Sequence, residues 1–165
     1  MAFQWSARWN EKSRTGLILS VLIAVGVAVG ANAFVFVANP QQQAQAPPYR
    51  LQPPGYVIGI VWVFLFAAMG AARWLVASRE DGRGKGSLPV LLLVLFCASY
   101  PLYTLALSSL TLGLIGNAAT ALFALWVAAR VRPVSRLAAG LVTAPAVWVA
   151  FASYLIAEQM LGRSI

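Results

Sequence analysis

Five apolar runs of membrane-spanning length leave this chain few ways to fold. They cover about residues 16–38, 56–77, 88–106, 110–129 and 137–160. A helix rises about 1.5 Å per residue, so roughly 20 residues cross the ~30 Å hydrocarbon core of a bilayer. No water reaches backbone N–H and C=O groups there, and a helix satisfies its own. The expected fold is therefore all-α, an integral membrane bundle of five helices. These runs use most of the 165 residues, which leaves one membrane domain over 1–165 and no room for a second. Only 10% of residues are charged, against about a quarter in soluble domains.

The connections between the runs set the topology. Residues 1–15 are polar and basic, like the first part of a signal peptide, and Ala31-Asn32-Ala33 mimics a cleavage site. The run 16–38 is longer than a signal core, so it reads as a retained first helix. A proline-rich loop, 39–55, follows, with Pro40, Pro47-Pro48 and Pro53-Pro54 making it extended and stiff. Residues 78–87 form a polar, glycine-containing connection, and Pro101 is expected to kink the third span. Ser108-Ser109 reads as a tight turn, and 130–136 as a short basic loop. With the N-terminus inside, Arg8, Lys12, Arg14, Arg73, Arg79, Arg83, Lys85, Arg130, Arg132 and Arg136 share the inner side. Arg50 and Arg163 fall outside. That bias predicts a multi-pass protein of a bacterial inner membrane, N-terminus cytoplasmic and C-terminus outside.

The stretch Pro53-Pro54-Gly55-Tyr56-Val57-Ile58-Gly59-Ile60-Val61-Trp62 joins the outer loop to the second helix. Two prolines fix φ and suit a helix start, so the helix begins at once near Tyr56. Tyr56, Ile60 and Val63 then share a face, with Trp62 on a neighbouring one. Such a stiff, aromatic start can wall a flat ligand or anchor the helix at the membrane interface, and the residues alone do not choose between these.

Chemistry is scarce. The chain has no histidine and four carboxylates, and of these only Glu158 falls within a span. No base–nucleophile pair can be assembled, so the protein is not expected to be an enzyme. One cysteine, Cys97, and scattered acids make no metal site, and no cofactor is required. A net charge of +8 would suggest nucleic acid in a soluble protein, but here it serves topology, and the partner is the lipid bilayer. Arg73 and Glu158 lie near span ends and can snorkel. Asn32 and Asn117 suit interhelical hydrogen bonds better than ligand binding, and Gly26 and Gly30 form a small-xxx-small face for close packing, within the bundle first and between subunits second. Among the aromatics, Tyr56, Trp62, Tyr100, Tyr103, Trp126 and Trp148 can stack on a planar ligand or form interfacial belts.

Along residues 50–156 the chain resembles the translocator protein family, also called tryptophan-rich sensory proteins (TspO/MBR). The matching segments are the Pro53–Trp62 stretch, Met69-Gly70-Ala71-Ala72-Arg73, Pro101-Leu102-Tyr103, Trp126, Ser135-Arg136-Leu137-Ala138-Ala139 and Trp148-Val149-Ala150-Phe151-Ala152. The resemblance implies five helices, a first loop that lids a cavity inside the bundle, and a porphyrin or other tetrapyrrole as ligand. Pro53 and Pro54 would then shape the lid hinge, and Tyr56, Trp62, Tyr103 and Trp148 the walls. It also implies a homodimer as a candidate assembly. The departures matter for function. Phe96 and Ser99 stand where the family usually has Asn and Trp, and Ala144-Pro145 where it has Pro-Tyr. Ile156 takes the place of an expected Asn, and the loop's tryptophans are missing. A sterol-recognition pattern is absent too, because no basic residue follows Tyr154 before Arg163. The alternative is a non-catalytic accessory subunit docked on a larger membrane complex, such as a photosynthetic one.

Overall fold

The computed structural model describes residues 13–38, 53–79, 85–101 and 109–161. Within them the chain forms five α-helices: α1 (Arg14–Ala38), α2 (Gly55–Ala77), α3 (Leu88–Ala98), α4 (Leu110–Val131) and α5 (Arg136–Met160). A short 3₁₀ turn, Lys85–Ser87, leads into α3. Helices α1, α2, α4 and α5 are each long and apolar enough to cross a membrane. The protein is a five-helix membrane bundle. Helix α3 closes at a turn at Ser99 before Tyr100 and Pro101 resume helical geometry, and residues 102–108 of the expected third span lie outside the described residues.

Local chemistry explains where the helices start. Ser109 accepts a hydrogen bond from the Leu112 N–H at 3.3 Å, and Ser135 one from the Ala138 N–H at 3.2 Å. Ser13 does the same for the Gly16 N–H at 3.1 Å. Each hydroxyl meets one of the donors that a first helical turn leaves open. Helix α2 starts on Pro54 instead, whose carbonyl accepts from Val57 and Ile58. Pro89 sits in the first turn of α3, where its missing N–H costs nothing.

Helix α2 is the hub, packing on α1, α3 and α5, while α4 lies along α5. Its inner face runs Trp62, Leu65, Phe66, Met69, Ala72 and Val76, all buried at helical spacing. Arg73 shares this buried side of α2 and is only 7% exposed. It is therefore enclosed by the bundle and does not reach out to the headgroups as the sequence suggested. Among the described glycines, the closest approach to another helix is where α1 meets α2. A Cβ placed on Gly70 would come within 2.7 Å of the Ser20 carbonyl oxygen and 2.9 Å of the Val21 Cα. The Ser20 hydroxyl also donates to the Gly70 carbonyl at 2.8 Å. Gly26 and Gly30 are placed differently: both are exposed, and a Cβ on either meets nothing within 4 Å. Close packing in the bundle thus runs through Gly70, because α1 turns its Ser20–Ala24–Ala28 side to α2 and its glycines away.

Side-chain hydrogen bonds within the apolar interior are mostly local. Thr120, Thr143 and Ser153 each donate to the carbonyl four residues back at 2.8 Å. That is the cheapest way to meet a hydroxyl in hydrocarbon. Asn117, like Ser20, reaches across to another helix. It is fully buried and donates from Nδ2 to Ser153 Oγ at 3.0 Å, which ties α4 to α5.

Candidate functional site

The antiparallel pairing of α1 with α2 gives the bundle two distinct ends. At one lie the start of α1, the ends of α2 and α4 and the start of α5. Every arginine among the described residues is in this half, namely Arg14, Arg73, Arg79, Arg130, Arg132 and Arg136. Glu158 lies near the far end of α5.

A cleft opens in the other half, between the later turns of α1, the first turns of α2 and the end of α3. Ala28, Ala31 and Asn32 form one wall, Trp62 and Phe66 a second, and Cys97, Ala98 and Pro101 a third. Its polar character comes from Asn32, whose Nδ2 donates to the Ala28 carbonyl of its own helix at 2.8 Å. The Trp62 ring is 9% exposed and tilts against Tyr100 with centroids 5.1 Å apart, and against Phe66 at 6.0 Å. These are favourable separations for aromatic pairs. The cavity measures about 10 Å³, close to the minimum a single water needs.

The expected wall residues are scattered. Trp62 lines the cleft. Tyr56, one and a half turns earlier on α2, is 72% exposed on the outer surface of the bundle. Trp148 is half-buried on α5, where its ring lies 5.6 Å from Phe151. Pro53 is half-buried and Pro54 exposed at the start of α2. Tyr103 and loop residues 39–52 lie outside the described residues. Trp62, Asn32 and Pro101 therefore meet at one place, while Tyr56 and Trp148 sit apart from it. Phe66 and Cys97 complete the cleft without having been singled out as lining. The Trp62–Phe66 spacing of four residues was a usable signal, since such pairs share a helix face. Cys97 gave no signal beyond being a small buried apolar residue.

The positions of departure also find partners. Phe96 meets Phe123 of α4 edge-on at 5.7 Å, and Phe123 lies 5.8 Å from Trp126. The Arg130 guanidinium carbon then stands 5.8 Å from the Trp126 ring centre. Phe96 thus belongs to a ring series leading along α4 and away from the cleft. Ser99 donates to the Phe96 carbonyl at 2.7 Å. No group of three or more His, Cys, Asp or Glu comes together among the described residues.

The family model of the TspO/MBR family matches residues 17–161, nearly the whole chain. The chain belongs to the TspO/MBR family. No curated protein matches it. As a TspO/MBR protein it carries the family's five-helix membrane bundle, with the cleft described above inside it. Its membership covers α1 as well, which the motif resemblance over 50–156 did not reach.

Proposed function

We propose that this TspO/MBR protein is a non-catalytic binder of a flat hydrophobic ligand, of the porphyrin or tetrapyrrole class, for sensing, sequestration or transport in a bacterial inner membrane. The N-terminus is cytoplasmic in this reading, since the arginine-bearing end then faces inward. The observation that carries it is the cleft between α1, α2 and α3 in which Trp62, braced from behind its wall by the Tyr100 ring, and Phe66 share the lining with Asn32. An aromatic wall with one convergent polar group is the usual make-up of a small-molecule site. Ligand pockets run to about 300–1,000 Å³, so a tetrapyrrole enters only as α1 and α3 part around Trp62. Trp148 and Tyr56 lie outside this cleft.

A titration of the purified protein with protoporphyrin, followed by tryptophan fluorescence, tests the reading. Saturable quenching at micromolar concentration that weakens in Trp62→Phe supports it. Quenching that rises linearly, as for partition into detergent, or that is unchanged in Trp62→Phe, removes it.

The narrowness of the cleft favours a second reading, an accessory subunit docked on a larger membrane complex. A docking subunit uses its outer faces and needs no cavity, and the bare Gly26 and Gly30 of α1 suit such a contact, or a homodimer. Extraction in mild detergent separates these. Migration with a pigment-bearing assembly supports the subunit, and migration at twice the chain mass the dimer.

A further inference from the structure

We infer that the arginine-bearing end of α4 and α5 is a seat for one anionic phospholipid, its headgroup phosphate held by Arg130, Arg132 and Arg136. Four observations converge there. These arginines are exposed and fall within seven residues of chain around the turn that joins α4 to α5. Arg79, from the end of α2, donates through Nη1 to the Val134 carbonyl at 2.9 Å. That bond brings a fourth guanidinium to the same turn, although it is 55 residues away in sequence. Trp126, 50% exposed, lies under Arg130 and sets the level of the membrane interface, where tryptophan rings settle. Below it, Ile115, Leu122 and Leu125 continue an exposed apolar stripe along α4, ready to carry an acyl chain.

The geometry suits a lipid better than a free anion. Guanidinium groups match phosphate oxygens in pairs, and Arg is the residue of choice for such forks. A soluble phosphate would use the arginines alone, whereas a phospholipid uses the arginines, the ring and the stripe together. The headgroup layer of a bilayer lies at this height whenever α4 spans it, so the phosphate is delivered already in place. Each surface arginine contributes about fivefold to the affinity for an anionic headgroup at low salt.

Native mass spectrometry of the full chain in detergent tests the seat. It is titrated with phosphatidylglycerol, with phosphatidylcholine of the same acyl chains, and with glycerol 3-phosphate. The expected result is one phosphatidylglycerol retained at least about tenfold more tightly than phosphatidylcholine, with the margin shrinking as ionic strength rises. The triple variant Arg130→Gln, Arg132→Gln, Arg136→Gln should lose that margin, and the Lys triple variant should keep part of it. Equal retention of the two lipids overturns the seat. A margin insensitive to salt in the unaltered protein overturns it as well, and this arm does not depend on any variant folding. Glycerol 3-phosphate binding as tightly as the lipid would replace the seat with a site for free anions.

Discussion

Helices α2 and α4 have nearly the same length and similar hydropathy, yet they are used in opposite ways. Helix α2 is the more enclosed of the two, with half of its span buried. It meets α1, α3 and α5, and its large side chains, Trp62, Phe66 and Met69, fill the bundle. Helix α4 is half bare. Gly113, Asn117, Thr120, Ala124 and Val127 form its buried side, and Leu122, Leu125 and Trp126 are left facing outward. In water the larger side chains would be turned inward on both. In lipid no such preference exists, because the hydrocarbon is as apolar as the core, and small residues go inward to let helices approach. The contrast teaches that size and hydrophobicity do not tell an inner face from an outer one here. Packing at α4 comes from small residues, and packing at α2 from rings that surround the cleft.

The sharpest way to break the contrast is to truncate one ring on each helix. Trp62→Ala should lower stability by about 3–5 kcal/mol, the range for emptying a buried aromatic site. Trp126→Ala, on the bare side of α4, should stay within about 0.5 kcal/mol, as exposed substitutions do. Unfolding by a denaturing detergent, followed by circular dichroism, reads both, and equal losses would dissolve the distinction.

Next in size is the α1–α2 contact. Gly70→Ala places a methyl against backbone atoms of Ser20 and Val21 that cannot rotate away, and should cost about 1–3 kcal/mol. Gly26→Ala and Gly30→Ala, with open space around them, should be neutral or slightly stabilising in the monomer, because each removes backbone freedom from the unfolded chain. A large loss at Gly26 or Gly30 would instead reveal a contact with a second chain.

The smallest effect sharpens the account of α4. A double-mutant cycle of Asn117→Ala with Ser153→Ala should give a coupling of about 0.6 kcal/mol, the mean for hydrogen bonds between membrane helices. The side-chain oxygen of Asn117 is buried and has no hydrogen-bond partner. Its removal offsets part of the loss, so Asn117→Leu should be milder than the buried position suggests.

The spans were legible in the sequence for a simple reason. A 20-residue apolar run admits one backbone solution in hydrocarbon, so α1, α2, α4 and α5 could be placed within a few residues. The serine starts of α4 and α5 are a finding of the structure, since the sequence reads Ser109 only as part of a tight turn and Ser135 as part of a basic loop. The site was far less so. Tyr56 and Trp62 are separated by six residues on one apolar helix, and nothing in their chemistry says that one is outside and the other inside. Gly26 and Gly30 carry the stronger small-residue pattern, but the close contact uses Gly70, which has alanines rather than a second glycine beside it. Helix rotation decides these matters, and where every face is apolar the sequence holds little record of rotation.

The buried thiol of Cys97 turns the cleft into a clock. It is the chain's single cysteine, it is 1% exposed, and it forms part of the wall across from Trp62. A maleimide can reach that sulfur only in the moments when the helices around it have separated. Its labelling rate therefore counts those separations, as amide exchange counts local unfolding. A molecule wedged against Trp62 would stop the clock, and one bound anywhere else on the bundle would let it run.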